Sequence, residues 1–284
     1  MPSQPGAPIT VADLVKQGEY LLRPSACSRL DAELLLGHLL HYDRTAIYRE
    51  SKAAVSYEAQ TRFTQLIRAR AEGRPVAQLL GRSDFWSLSF EIDANVLIPR
   101  PETELLVETA LELIASSGKP VLADLGTGSG AIATVFALER PCADIIATDF
   151  SPLALKVAQR NFAGHDATRI FLLRANWLIG LAPALFDLIA ANPPYVSADD
   201  PLLSNSDIRF EPVQALAAGH DGLDDLRVIV GQAPSHLKKD GYLLVEHGYN
   251  QGQSVRLLFN NRGFRQITTI RDLAGFERVT FGQM

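Results

Sequence analysis

One stretch limits the fold more than any other: Phe186-Asp187-Leu188-Ile189-Ala190-Ala191-Asn192-Pro193-Pro194-Tyr195. Apolar residues at 186, 188 and 189, followed by two small alanines, read as a buried strand. Pro193 and Pro194 cannot donate ladder hydrogen bonds, so the strand must end at Asn192. Asn192 and Pro193 each precede a proline, which biases both towards extended backbone. The outcome is a stiff loop at the carboxyl end of a strand, carrying an amide, two carbonyls and an aromatic ring. A planar NH2 group has two donors and needs two acceptors. The Asn192 side-chain oxygen and the Pro193 carbonyl can supply them, and the Tyr195 ring can stack on the flat group. An ordinary strand-ending turn would use the same residue types, so the context has to decide.

That context is an alternation of β and α patterns from Pro120 onwards. Residues 121–125 read as a strand, 131–138 as a helix and 143–148 as a second strand closed by Asp149. Ser151-Pro152 supplies an N-cap and a proline at the first helical position. Strands over 170–173 and 186–191 follow, then a long irregular connection over 196–221. Connections of that length in a compact domain are often functional. A helix over 223–237, a strand over 242–246, a helix over 251–260 and late strands over 264–270 and 278–281 complete the pattern. Such alternation predicts a doubly wound sheet.

The turn after the first of these strands, Gly126-Thr127-Gly128-Ser129-Gly130, lets a ligand approach the backbone. Its spacing is GxGxG with Ala131 next, so spacing by itself also admits a dinucleotide. Asp149 lies 21 positions after Gly128 and can accept both hydroxyls of a ribose, or cap the next helix. With Asn192 to Tyr195 at the end of the fourth strand, these features point to S-adenosyl-L-methionine and a nucleophile held at that strand. Trp177, just after the third strand, is either a core residue or a contact on the adenine face.

The front of the chain is different. Residues 1–9 read as a loose tail, and Thr10 with Asp13 as the start of a helix. A second helix opens at Ser28, a short turn covers 44–48, and a longer helix starts at Ser56 and ends near 73–75. Arg62, Arg68, Arg70 and Arg74 run along that last helix, as a solvated face or a docking strip. At 83–99 the period changes: Trp86, Leu88, Phe90 and Ile92 alternate with polar residues, and Asp93-Ala94-Asn95 reads as the turn of a β-hairpin. A helix over 104–115 follows. The domains are therefore 1–82 (helical), 83–99 (hairpin linker) and 100–284.

Charge and composition close off other classes. The net charge of −5 argues against stable nucleic-acid binding. Cys27 and Cys142 form no CxxC pair and suit a reduced, cytoplasmic setting. The six histidines are scattered, so no metal site is expected. Met1-Pro2-Ser3-Gln4-Pro5-Gly6 is no secretory signal, and no apolar run reaches the ~20 residues of a membrane span.

Taken together, Leu97-Ile98-Pro99-Arg100-Pro101-Glu102-Thr103, Asp124 to Gly130, Asp149, Trp177, Asn192 to Tyr195 and Phe210-Glu211-Pro212 resemble the peptide chain release factor glutamine N5-methyltransferases of the HemK/PrmC type. The resemblance covers nearly all of residues 10–282. It implies a Rossmann-like, seven-stranded class I methyltransferase sheet behind a helical domain that docks the substrate. It implies methyl transfer from S-adenosyl-L-methionine to the glutamine of a Gly-Gly-Gln loop in release factors. Gly126, Thr127, Gly128, Ser129, Gly130, Asp149, Trp177 and Asn192 would hold the cofactor. Asn192, Pro193, Pro194 and Tyr195 would hold the glutamine, with Arg100 positioning the entry loop or making a salt bridge. Asn176 stands where the family often has Asp, which leaves an acceptor oxygen without the charge. Asn-Pro-Pro-Tyr is shared with DNA adenine methyltransferases, so an exocyclic-amine methyltransferase of nucleic acid is the alternative. Such an enzyme should carry a target-recognition domain and a basic face, and the acidic pI of about 5.7 and the short helical front domain count against it.

Overall fold

The computed structural model describes residues 8–23, 25, 27–114, 118–204 and 207–284. The chain divides into two compact units, one of residues 1–81 with 206–210, the other of residues 82–205 with 211–284.

The first unit is helical: α1 (Val11–Leu21), α2 (Ser28–Leu40), α3 (Arg44–Arg49), α4 (Tyr57–Ala71) and α5 (Val76–Leu80). The Thr10 hydroxyl accepts the Asp13 N–H, and the Asp13 carboxylate accepts the Thr10 N–H, a reciprocal cap that satisfies two donors of the first turn. The Ser56 hydroxyl caps α4 by accepting the Ala59 N–H. Leu14, Leu35, Leu36, Phe63 and Ile67 form the core, and α1 passes close to α2 and α4 at Gly18. A Cβ there would lie 2.8 Å from Ala32 Cβ and 2.9 Å from Phe63 Cζ.

The segment expected as a turn over 44–48 is helix α3, because Asp43 accepts the Ala46 N–H at 2.6 Å and caps one short helical stretch. Helix α5 follows Pro75 and ends at Gly81 in left-handed conformation; five residues carry too little periodicity to be read. The expected arginine strip does not act as one face. Arg70 is nearly buried, bonding Asp31 at 2.7 Å and Asp207 at 2.8 Å, while Arg74 lies over the Phe210 ring and Arg62 pairs with Glu58. The expected tail over 1–9 falls largely outside the described residues, although the Ile9 carbonyl accepts the Val55 N–H.

The second unit opens with a hairpin, β1 (Arg82–Phe85) and β2 (Leu88–Glu91). Its turn is at Trp86 and Ser87, both with positive φ (53° and 59°), and not at 93–95 as the sequence suggested. Alternation hid the turn because a two-residue loop with both φ positive normally needs Asn or Gly. Here Glu104 accepts the Trp86 N–H and Glu139 accepts the indole N–H, which holds the strained pair. Asp93 does form a turn, accepting the Asn95 N–H, but one that closes no hairpin.

Next come α6 (Thr103–Leu113), β3 (Val121–Leu125), α7 (Ala131–Glu139), β4 (Asp144–Asp149), α8 (Pro152–Gly164), β5 (Ile170–Arg174) and β6 (Phe186–Ala191). Ala115, the expected last residue of the helix before Pro120, lies outside the described residues. After three short 3-10 turns come α9 (Asp224–His236), β7 (Leu237–Glu246), α10 (Gly252–Asn261), β8 (Arg265–Arg271) and β9 (Glu277–Gln283). The seven strands are ordered β5-β4-β3-β6-β7-β9-β8, parallel except that β9 is antiparallel to both its neighbours. The doubly wound expectation holds. Strand β7 begins at Leu237, five residues before the predicted start, with a register irregularity opposite Phe186 and Leu188. Leu122, Leu188, Ile189 and Leu243 are fully buried in the sheet's centre. Among the described residues no helix is long and apolar enough to cross a membrane.

Candidate active site

Strands β3 and β6 are neighbours, yet the chain leaves β3 towards β4 on one side and continues from β6 to β7 on the other. The crevice beyond their carboxyl ends is where open α/β sheets bind ligands. A cavity of about 280 Å³ lies there. Gly126 and Gly128 reach it from the end of β3, Asp149 from β4, Trp177 from beyond β5, and Asn192 and Pro194 from β6.

The glycine turn is built from backbone and braced from below. Gly126, Gly128 and Gly130 have φ of 72°, 55° and 83°, a region open to glycine without strain. The Trp177 ring lies on Gly126, where a Cβ would meet the indole at 3.1 Å, and its Nε1–H donates to Asp225 at 3.1 Å. Gly130 packs under Phe162, where a Cβ would lie at 2.6 Å. Thr127 and Ser129 are buried and face away: the Thr127 hydroxyl donates to Asp124 at 2.6 Å, and the Ser129 carbonyl accepts from Asn161. Asn161 also exchanges two hydrogen bonds with the Glu91 backbone, so it ties β2 to the turn. None of these three, Thr127, Ser129 or Gly130, lines the cavity.

Two carboxylates belong to this side. Asp149 accepts the Gly128 N–H at 2.9 Å with Oδ2 and the Ser151 N–H at 2.8 Å with Oδ1. Each oxygen keeps a lone pair for a further donor. Burial raises the Asp149 pKa, opposed by those backbone N–H groups. Asp124 is fully buried; its Oδ2 accepts from Thr127 and from the Ala133 N–H, while Oδ1 has no partner among the described residues. Burial pushes the Asp124 carboxyl up to about 7.

The corner after β6 is held by side chains. Asn192 Nδ2 donates to Thr103 Oγ1 at 2.9 Å, Thr103 Oγ1 donates to Glu246 Oε2 at 2.7 Å, and the Tyr195 hydroxyl donates to Glu246 Oε1 at 3.0 Å. Glu246 ends β7 with no exposure. Its pKa is raised by burial, against the hydroxyls of Thr103 and Tyr195 and the nearby Arg278. Tyr195 packs against the core with its hydroxyl on Glu246, and burial raises its pKa too. Neither Tyr195 nor the buried Pro193 lines the cavity. The Tyr195 carbonyl accepts Gln251 Nε2 at 3.0 Å, and Gly222 leaves room for that carbonyl, since a Cβ would lie 2.3 Å from it.

Arg100 makes a salt bridge at 2.5 Å to Glu211, which also accepts the Ile98 N–H at 3.0 Å. Glu211 is 2% exposed in its side chain, so this pair fastens the loop before α6 to the segment that carries Pro212, Gln214 and Ala215 into the cavity wall. Thr103, Glu246, Asn161 and Gln251 were not singled out from the sequence as site residues. The available signals were Thr103 as the last residue of the Leu97 to Thr103 stretch and a carboxylate at the end of an apolar strand, Leu244-Val245-Glu246.

The fold is that of known methyltransferases. The hMettl16 catalytic domain, solved in complex with the MAT2A 3'UTR hairpin 1, superposes with a TM-score of 0.58 at 12% identity, over 82% of this chain and 83% of that one. Such identity speaks for the fold alone. Residues 101–205 match the family profile described as the methyltransferase small domain. The sheet order, with a glycine turn after β3, thus belongs to a methyltransferase of the Rossmann-like, seven-stranded class. Residues 13–81 match the PrmC N-terminal domain. The release factor glutamine methyltransferase of Pseudomonas aeruginosa is 47% identical over 274 residues, 96% of this chain and 98% of its own length. That of Xylella fastidiosa (strain Temecula1) is 44% identical over 255 residues, 90% of this chain and 93% of its own. The chain belongs to the release factor glutamine methyltransferase family.

Proposed function

We propose that this enzyme methylates the side-chain amide nitrogen of the glutamine in the Gly-Gly-Gln motif of peptide chain release factors, using S-adenosyl-L-methionine. The observation that carries the reading is the Asn192 amide, anchored through its NH2 at the carboxyl end of β6, on the wall of a cavity that also holds the glycine turn.

The residues fit the cofactor. Gly126 and Gly128 offer a backbone surface that no Cβ obstructs, Asp149 has lone pairs for ribose hydroxyls, and the Trp177 ring gives an apolar wall for a base. Thr127, Ser129 and Gly130 act by shaping the turn. When bound, S-adenosyl-L-methionine supplies an electrophilic methyl group on a sulfonium sulfur. An amide nitrogen is a poor nucleophile because its lone pair is delocalised, so its orientation matters. Asn192 Oδ1 and the Pro193 carbonyl accept the two N–H groups of the substrate amide and fix its plane. Orientation of this kind contributes up to about 7–11 kcal/mol. Pro194 stiffens the corner. Tyr195 supports it through Glu246. Arg100 holds the entry loop through Glu211. The helical unit of residues 1–81 supplies the surface that selects a whole release factor, because one glutamine side chain is too small to be selected alone.

Incubation with methyl-labelled S-adenosyl-L-methionine and release factor, DNA or rRNA tests the reading. Label is expected on the release factor glutamine. Label on an exocyclic amine of nucleic acid, with none on the protein, would overturn it.

A further inference from the structure

An asparagine clamp works only if its carbonyl oxygen, and not its NH2, faces the substrate. Oxygen and nitrogen of an amide have nearly the same shape, so something must decide which way Asn192 points. Its only side-chain hydrogen bond among the described residues is to Thr103. A hydroxyl can donate or accept, so Thr103 alone decides nothing. The answer lies one residue further. Glu246 is wholly buried, and its two oxygens accept from Thr103 Oγ1 at 2.7 Å and from the Tyr195 hydroxyl at 3.0 Å. An ionised carboxylate cannot donate. Burial raises the Glu246 pKa, and against it the charged form is favoured by the two hydroxyls that donate to its oxygens and by the nearby Arg278 guanidinium. The single Thr103 proton is therefore committed to Glu246. Thr103 Oγ1 is left as an acceptor, and only the NH2 of Asn192 can satisfy it.

We propose that Thr103 and Glu246 are positioning residues that set the polarity of the Asn192 amide, so that Oδ1 faces the substrate and the site accepts an NH2 group in preference to a carbonyl or hydroxyl acceptor. This rests on the proposed methyl transfer for its effect on turnover, but its structural part stands independently. The relay also gives a chemical reason for a threonine at the start of α6 and a carboxylate at the end of β7, two elements far apart in the chain. Tyr195 occupies the second Glu246 oxygen and prevents it from turning away from Thr103.

The test uses the full-length protein with Thr103→Val, Thr103→Ser and Glu246→Gln. Valine keeps the shape and removes the acceptor. Serine restores the hydroxyl. Glutamine is no longer acceptor-only, so the Thr103 proton is free to turn to Asn192. Three quantities are read: kcat on whole release factor, calorimetric affinity for S-adenosylhomocysteine, and hydrogen exchange of the Asn192 side-chain NH2, assigned by its loss in Asn192→Ala. Thr103→Val should lower kcat about 100-fold, as expected for a misplaced reacting group. Its NH2 exchange should speed up, while product affinity stays within about twofold. Thr103→Ser should recover most of the loss, with Glu246→Gln between the two. A merely structural role would not separate kcat from product affinity or be rescued by serine. If Thr103→Val does not fold, Glu246→Gln carries the same readings. Variants with wild-type kcat and an unchanged NH2 exchange rate would overturn the relay. A wild-type enzyme that transfers no methyl to glutamine, yet shows the protected NH2 and its release in Thr103→Val, would overturn the proposed function and leave the relay standing.

Discussion

Two corners face one cavity, and they are made differently. After β3, Gly126 and Gly128 present main chain, and the turn is braced by Asp149 of β4 and Asn161 of α8. After β6, Asn192 presents a side chain whose orientation depends on Thr103, 89 residues away, and on Glu246. A ligand used by many enzymes can be bound by a generic backbone surface. A substrate amide that must be aimed needs a particular donor and acceptor pattern. Apart from Asp149, the first kind of site tolerates side-chain change outside its glycines. The second fails when any member of its network loses its polarity.

If this division is right, the two corners can be broken separately. Asn192→Ala should give the largest effect, a loss of turnover of about 100-fold or more, because the amide nitrogen is no longer oriented. Affinity for S-adenosylhomocysteine should change by less than about threefold, since Asn192 contributes one wall of several. Single-turnover kinetics and calorimetric titration measure the two. Equal loss in both would mean that the corners are one unit.

Asp149→Ala should act in the opposite sense. The ribose hydroxyls lose a charge-assisted acceptor worth roughly 1.5–3 kcal/mol, and Gly128 and Ser151 lose the carboxylate that pins them. Weaker S-adenosylhomocysteine binding with near-normal turnover at saturation is the expected pattern. An unchanged dissociation constant would restrict Asp149 to bracing the turn.

Gly130→Ala probes the bracing alone. The residue has φ of 83°, and its Cβ would press on Phe162 at 2.6 Å and on Ala158 at 3.1 Å. Overpacking together with a strained φ should cost about 1–3 kcal/mol of stability. Urea unfolding checks it, and a stability within ~0.5 kcal/mol of wild type would show that the turn yields more easily than its packing suggests.

The same contrast explains what could be read from the sequence. The glycine turn, Asp149 and the Asn192 to Tyr195 corner were legible because glycine, proline and a strand-ending acid act locally, where spacing reveals them. Thr103, Glu246 and Asn161 were not, because their partners lie across the sheet and only the fold brings them together. The hairpin turn at Trp86 and Ser87 was misplaced for a related reason: contacts to Glu104 and Glu139 override local preference. Arg70 was read as surface because nothing in a helical spacing announces Asp31 and Asp207.

The two corners differ also in the carboxylate beneath each. Glu246 has a hydroxyl donor on each oxygen, whereas Asp124 has both its bonds on Oδ2 and none on Oδ1 among the described residues. Asp124 should therefore resist ionisation, in keeping with a carboxyl pushed up to about 7. The sign follows from proton counting. Between the unfolded value of 3.8 and about 7, the folded protein keeps a proton that the unfolded chain has lost. Its contribution to stability is then complete below the unfolded pKa and is lost as pH rises through the folded one. Asn at this position has an oxygen that can accept from Thr127 and Ala133 but cannot ionise, so it lacks this slope. Stability of Asp124→Asn relative to wild type should rise as pH goes from about 4 to about 7, whatever constant offset its NH2 introduces. Glu246 and His247 titrate in both proteins and cancel in the difference, whereas Asp149, whose charge raises the Asp124 pKa, belongs to the same slope. Urea midpoints across that range decide it: a difference that stays flat with pH would mean that Asp124 is already ionised in the folded state, and that the glycine turn rests on a buried charge.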